Sequence, residues 1–478
     1  MKYHTLIRAA RVVDGTGSAE YRADVAIQDN RVVRIAPSIE EPAEHEVDAE
    51  GLVLAPGFID VHTHDDLEVI HNPQMTAKLS QGVTSVIVGN CGISASPVRL
   101  DGPPPDPLNL LGEQNDFQFA TFEAYARAVT AASPAVNVGA LIGHTSLRIN
   151  HMSDLQRSAT VAEQEGMRAQ LREALSQGAL GMSSGLAYHN AKQSDTAEVM
   201  AMVKELTRFG ALYTTHMRTE FDAIVEAMNE ALDTAREGKV PLVISHLKCA
   251  GKGNWGRSGE VLGHLEAASQ HQKVACDCYP YSASSSTLDL AQVTPDSDIF
   301  ITWSSAFPDQ GGRRLEDIAH DWNLSLLDAA KRLQPAGAVY HCMDPDDVER
   351  ILSHPLTMVG SDGLPKDPHP HPRLWGAFPR VLAHYCRERK LFDLSTAIHK
   401  MTGRSASEFG LKDRGVIAEG AYADLVLLDF ENLKSTATYE QPVQVATGIH
   451  SVWVNGALSY RPGETGLTRK GQFLFRSA

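Results

Sequence analysis

Gly57-Phe58-Ile59-Asp60-Val61-His62-Thr63-His64 is an apolar strand that closes on two histidines separated by one residue. Side chains alternate along a strand, so both imidazoles point the same way, towards the interior if the strand belongs to a barrel. The pattern recurs downstream. Cys91 follows the apolar run Val83–Val88, His216 ends Leu212-Tyr213-Thr214-Thr215, His246 follows residues 241–245, and Asp362 follows Thr357-Met358-Val359-Gly360-Ser361. A single histidine at a strand end is ordinarily packing or hydrogen bonding. Six metal-capable side chains at strand ends ask for more, because the ends of neighbouring parallel strands meet at one mouth in a closed parallel barrel.

Working outward, strands are expected at 58–62, 83–88, 136–142, 179–184, 212–215, 241–245, 274–279 and 357–361. Helical spacing lies between them: Val199, Met200, Val203 and Leu206 in 196–209, Ile224, Val225, Met228 and Leu232 in 221–236, and Val261, Leu262 and Leu265 in 259–270. Eight strands alternating with helices predict an α/β fold, a (β/α)8 TIM-type barrel over 57–413. The stretch from 279 to 357 is too long for one strand–helix unit and predicts an inserted lid, set at 286–340. Gly102-Pro103-Pro104-Pro105-Asp106 predicts a rigid polar loop near the mouth. Both ends of the chain read as β. A hairpin turns at Asp29-Asn30, another at Asn455-Gly456, and 423–429 is a strand. Residues 1–56 and 414–478 together predict one small β-sandwich, since chain ends often lie close together.

The composition is that of an ordinary globular protein, 43% hydrophobic and 21% charged over 478 residues. A net charge of −16 argues against nucleic acid or an anionic membrane as partner. No apolar run approaches the roughly 18 residues that span a bilayer, the start breaks its apolar run at Arg8, and six cysteines are too few for a disulfide scaffold. The expected location is the cytoplasm. Cys276-Asp277-Cys278 sits on a strand, which sends its two thiols to opposite faces and predicts core packing rather than chelation.

Two neutral imidazoles at His62 and His64 suit Zn²⁺ or a similar divalent ion. Cys91, flanked by Gly89 and Gly92, is expected as a thiolate ligand, the glycines permitting close approach to the ion. Asp362 beside acidified water fits a ligand, a proton acceptor, or both. Lys248, Tyr279 and Arg373 follow the sixth, seventh and eighth strands, and a guanidinium fork grips a carboxylate well; the alternative for Arg373 is a solvated loop residue. His369 and His371 are expected to be solvated, and His144 to be a hydrogen-bonding residue at the mouth.

Beyond these residues, several segments match one branch of a known superfamily. HTHDD (62–66), QGVTSVIVGNCGIS (81–94), GHTSLR (143–148), THMRTE (215–220), ISHLK (244–248), YPYSASS (279–285) and GSDGLPKDPHPHPRLWGAFPR (360–380) resemble the N-acyl-D-amino-acid deacylases, or D-aminoacylases, of the amidohydrolase superfamily. The resemblance runs nearly end to end, and the N-C-G and G-S-D-G-L-P motifs belong to this branch. It implies one tight zinc held by Cys91, His216 and His246, a second and weaker site at His62 and His64, and Asp362 as proton shuttle. The usual carboxylated lysine has no counterpart in 179–185, and Cys91 matches its replacement. Tyr188 matches a tyrosine that polarises the scissile carbonyl; Lys248, Tyr279, Ser285 and Arg373 match residues that bind the carboxylate end of a small-molecule N-acyl-D-amino acid. Lys252 and Arg257 are candidates for meeting an acidic side chain, with a solvated position as the alternative for each.

Two rival readings stand beside this one. A related amidohydrolase could open a cyclic amide, but such a substrate offers no free α-carboxylate to Arg373. A non-catalytic assembly protein on the same scaffold would be marked by lost ligands.

Overall fold

A computed structural model describes residues 2–295 and 298–477. Its central strands are Phe58–Asp60, Val83–Val88, Asn137–Ala140 continued by Ile142–Gly143, Gly181–Gly185, Leu212–His216, Leu242–Ile244, Val274–Cys278 and Thr357–Val359. Each pairs in parallel with the next. The third strand steps between two ladders at Leu141, and the late strand Phe473–Leu474 lies beside its first half. The wall closes between last and first strands through a parallel bridge of Thr63 to Gly363, with His64 N–H donating to Gly363 O at 3.0 Å and Asp362 N–H to His62 O at 2.7 Å. The architecture is the expected (β/α)8 barrel. The first strand ends at Asp60 and the last at Val359, two residues earlier than the periodicity predicts in each case, because the backbone leaves regular extended geometry where the polar residues begin.

Inside the barrel Ile59, Ile87, Leu141, Leu180, Leu212, Val243, Ala275 and Met358, one from each strand, form a buried apolar layer. Each of these side chains except Ala275 contributes about 1.5–3 kcal/mol on burial. The surrounding helices turn their apolar stripes onto the outside of the wall. The three predicted helices are Thr196–Thr207, Ile224–Gly238 and Ser258–Ser269. Their starts follow local chemistry: Asp195 caps the first by accepting from Glu198 N–H, whereas Phe221 sits in a turn before the second.

Strands from both chain ends join in one eight-stranded mixed sheet. It bends at Ala9, a left-handed residue at a register shift, so that Tyr3–Val12 pairs first with Ala43–Asp48 and then with Val53–Pro56. Leu425 and Leu427 face the small core of this sheet, while Val426 and Leu428 pack into the barrel's own core, as period two requires. The Asn455-Gly456 hairpin is present with both residues at positive φ. Ser284–Thr287, Ile299–Ser304, Arg313–Arg314 and Ala336–Tyr340 form a separate antiparallel sheet. With the helices Leu315–Trp322 and Leu326–Leu333 it encloses a core of its own.

Candidate active site

The mouth is made by residues that leave the strands. Cys91, His246 and Asp362 take left-handed backbone conformations, with φ of 54°, 35° and 50°. Such a conformation costs a non-glycine residue about 1–3 kcal/mol and persists only where the surroundings impose it. Around Cys91 the surroundings are tight. A Cβ on Gly89 would lie 2.2 Å from Leu141 O, and one on Gly92 would lie 2.6 Å from Gly185 N. The glycines therefore admit neighbouring strand backbones, a correction to the expectation that they clear a path for an ion.

Two groups of candidate ligands result. His62, His64, Cys91 and Asp362 each offer an atom within 4.8 Å of the others, and so do Cys91, His216 and His246. Cys91 belongs to both: its Sγ lies 3.2 Å from His62 Nε2 and 3.4 Å from His246 Nε2. Asp362 Oδ1 lies 3.4 Å from His62 Nε2 and 3.2 Å from His64 Nε2. All except the half-buried His216 are buried. Thiolate, imidazole and carboxylate in this proportion fit Zn²⁺.

The electrostatics agree with that fit. Burial alone would raise the Cys91 thiol, but His62 and His246, with hydrogen bonds from His216 and His246, hold it well below the ordinary range. Burial likewise opposes ionising Asp362, yet Arg373, His62 and His64 bring its carboxyl well below the usual value. Burial works to neutralise His64 and His246, but nearby anions raise both to about 9. Fixed anions at the centre demand positive charge, which imidazolium provides in the bare protein and a divalent ion would provide in its place.

The flanking residues divide into two sets. Lys248 Nζ lies 2.6 Å from Glu220 Oε1 and 2.8 Å from His246 Nδ1, so it stands behind a candidate ligand. Tyr188 packs its ring 4.9 Å from that of His216, and burial beside anionic Cys91 and Asp362 keeps its phenol protonated. Arg373 Nη1 lies 2.9 Å from Asp362 Oδ2, its Nη2 donates to Ser285 O at 3.0 Å, and its guanidinium sits 4.8 Å from the Tyr279 ring centre. Arg373 Nε, Tyr279 Oη and Ser285 Oγ are buried and make no hydrogen bond.

Other expectations need correction. Arg373, for which a solvated loop position was the alternative, is 1% exposed. His371 is not solvated either: it is buried against Tyr281 and Tyr439, with Nε2 3.1 Å from Ala283 O. His369 is half-buried, its Nε2 2.8 Å from Tyr439 O. His144 makes a hydrogen bond, as expected: it is buried and pairs with Glu198, which also binds Arg148. Lys252 is exposed, and Arg257 is engaged by Asn254 and Glu260. Cys276 and Cys278 are core residues, as expected.

Sequence reasoning missed three groups. Asp277 reaches His62 and His246, Glu220 reaches Lys248 and His246, and Lys78 lies behind the first strand. Lys78 Nζ, fully buried, is 2.7 Å from Asp60 Oδ2, 2.9 Å from Thr63 Oγ1, 3.0 Å from Ser361 Oγ and 3.1 Å from Asp65 Oδ2. It ties the first strand to the last where their ladder is thinnest. The signal for Asp277 was its place between two outward cysteines; Lys78 and Glu220 carried none beyond residue type.

The amidohydrolase family model matches residues 45–460. N-acyl-D-aspartate deacylase of Alcaligenes xylosoxydans xylosoxydans is 47% identical, over 98% of this chain and 94% of the relative. A structure of D-aminoacylase, described as having a binuclear metal center with one-metal activation and second-metal attenuation, superposes with a TM-score of 0.97 at 45% identity, covering 99% of this chain and 100% of that one. N-acyl-D-glutamate deacylase of Bordetella bronchiseptica, complexed with zinc and a phosphonate mimic of the tetrahedral intermediate, gives 0.96 at 43% identity with the same coverage.

Proposed function

The chain belongs to the amidohydrolase family, and from that premise we propose that it hydrolyses the amide bond of N-acyl-D-amino acids to a carboxylate and a free D-amino acid. The observation that carries the reading is the set of unpartnered donors at Arg373, Tyr279 and Ser285, buried beside the two ligand groups. A buried donor left unsatisfied costs about 1–3 kcal/mol. A substrate α-carboxylate would satisfy several at once, with Arg373 as its main charge partner. A cyclic amide lacks that carboxylate, and a non-catalytic scaffold has no use for the full set of ligands that this chain retains.

Cys91, His216 and His246 hold the tight zinc in this reading, and His62, His64 and Asp362 border a weaker second site. Zinc bound there supplies a Lewis acid that acidifies water and polarises an acyl carbonyl. Asp362, an acceptor kept ionised by Arg373 and its histidines, takes a proton from attacking water and returns it to the leaving nitrogen. Tyr188, kept protonated, donates its O–H to the carbonyl oxygen. Lys248, held by Glu220, supports the carboxylate end of the substrate. Residues 286–340 serve as the lid over a barrel of 57–413, and 1–56 with 414–478 as the supporting domain. Among the described residues no helix is long and apolar enough to cross a membrane, and a cytoplasmic location fits the cysteine usage.

A panel of N-acetyl-D- and N-acetyl-L-amino acids, assayed with and without added zinc after chelation, tests the reading. Zinc-restored turnover confined to the D series is expected; turnover of the L series, or full activity of metal-free protein, would overturn it.

A further inference from the structure

Asp277 lies on the seventh barrel strand, 1% exposed, between two cysteines that pack away from it. Its carboxylate reaches both ligand groups. Oδ1 lies 3.2 Å and Oδ2 3.3 Å from His62 Nδ1, and Oδ1 accepts the His246 backbone N–H at 3.0 Å. His62 belongs to the group containing Asp362, and His246 to the group containing His216. The two rings lie 4.9 Å apart, and both turn Nε2 to Cys91.

A carboxylate accepts and does not donate, so Asp277 selects the His62 tautomer that carries its proton on Nδ1. The lone pair then sits on Nε2, facing Cys91 and Asp362. The opposite tautomer would aim an N–H at the space where a cation must sit. The second contact acts on backbone. His246 is the most strained in φ of the three left-handed mouth residues, and the bond from its N–H to Asp277 pins that strand end. Gly360 belongs to the same arrangement: a Cβ there would lie 2.5 Å from His62 Cβ and 2.9 Å from Asp277 Oδ1. No side chain fits at 360 without separating the pair.

We infer that Asp277 is the positioning carboxylate of this centre, setting the tautomer of His62 and the backbone of His246 so that both imidazoles present a lone pair to one metal-binding space. The inference rests on the reading of the two groups as a zinc centre. It assigns Asp277 no contact with substrate.

Asp277→Asn tests it, because the amide keeps the shape and an acceptor for His246 N–H while its NH₂ takes the place of Oδ2, 3.3 Å from His62 Nδ1, removing the charge and competing with the acceptor that fixes the tautomer. Zinc affinity, measured by competition with a chromophoric chelator, should fall about 10–100-fold, the usual effect of losing such a partner. The thermal midpoint of metal-free protein should stay close to the parent's, while the rise in midpoint on adding zinc shrinks. In a His62→Gln background the same change should cost far less, since a coupled pair is non-additive. Gly360→Ala should reproduce the loss of affinity from the other side of the pair. In the zinc-loaded parent, ¹⁵N NMR of the His62 ring should show its proton on Nδ1 and none on Nε2, a readout that needs no variant to fold. Affinity within about twofold of the parent, an equal loss with and without His62, or a proton on Nε2 would each overturn the inference. A parent that binds no zinc would instead refute the metal-centre reading, leaving the two failures distinguishable.

Discussion

At one depth of the barrel, Ile87, Leu180, Val243 and Met358 meet in an apolar layer; a few residues past the strands of Ile87, Val243 and Met358 stand Cys91, His246 and Asp362, charged or polar and held in left-handed backbone. The floor obeys periodicity. Every strand delivers one apolar side chain, and none of these residues has a strained φ. The mouth breaks periodicity, because a ligand must face a point in space rather than the next strand. Stability and chemistry thus occupy separate depths of one wall, and the floor holds the geometry that the mouth alone would relax.

If the depths are separate, substitutions should sort cleanly. Asp362→Asn should lower kcat by about 10²–10⁴-fold, the range for a lost general acid–base, with near-parental zinc content; retention of parental kcat would remove Asp362 from proton transfer. Lys78→Met should be the exception that joins the two depths. It strands Asp60 and Asp65 without their cation, and breaking a buried pair costs about 3–5 kcal/mol. Denaturant unfolding should show this loss and zinc content should fall with it; a stable variant with full zinc would mean that the wall between first and last strands needs no clasp. Leu180→Ala should cost about 2–5 kcal/mol of stability while kcat per folded molecule, normalised to zinc, stays unchanged. A comparable loss in kcat would show that floor packing reaches the chemistry.

The smallest effect belongs to a helix far from both depths. Thr160 caps Val161–Ser176 in a capping box with Glu163. Thr160→Ala should cost about 1 kcal/mol with no change in turnover. Hydrogen bonds from Arg157 and from the Thr160 backbone bring Glu163 down to about 2 from its ordinary 4.5. A lowered carboxyl pKa stabilises the fold above the unfolded value and is lost as pH falls towards the folded one. Glu163→Gln, which removes that carboxylate, should therefore be less stable than the parent at neutral pH, and this gap should narrow from pH 4.5 towards pH 2, seen in urea titrations; a gap independent of pH would mean that the Glu163 charge plays no part.

The same division explains what was legible. Barrel strands were legible because alternating burial imprints a period on the chain, and the candidate ligands because unusual residue types stand at the end of each period. Asp277, Glu220 and Lys78 were not, since an acid or lysine that will be buried is chemically identical to one that will be solvated. Its fate depends on partners as remote as Ser361 is from Lys78. The same holds for Arg373 and His371: a loop rich in proline and histidine reads as surface, and its burial comes from the segment Tyr279–Ser285 and from Tyr439.

The separate sheet spanning 284–340 has one further property. Ser284 and Tyr340 face each other in a single antiparallel ladder, so the insertion leaves the barrel and returns to it at adjacent points, carrying its own core. Topologically it is a cassette: removing it would require joining two neighbouring chain positions, with no barrel strand changing register. A lineage can lengthen, exchange or resculpt this module while the wall beneath keeps its strands and their register.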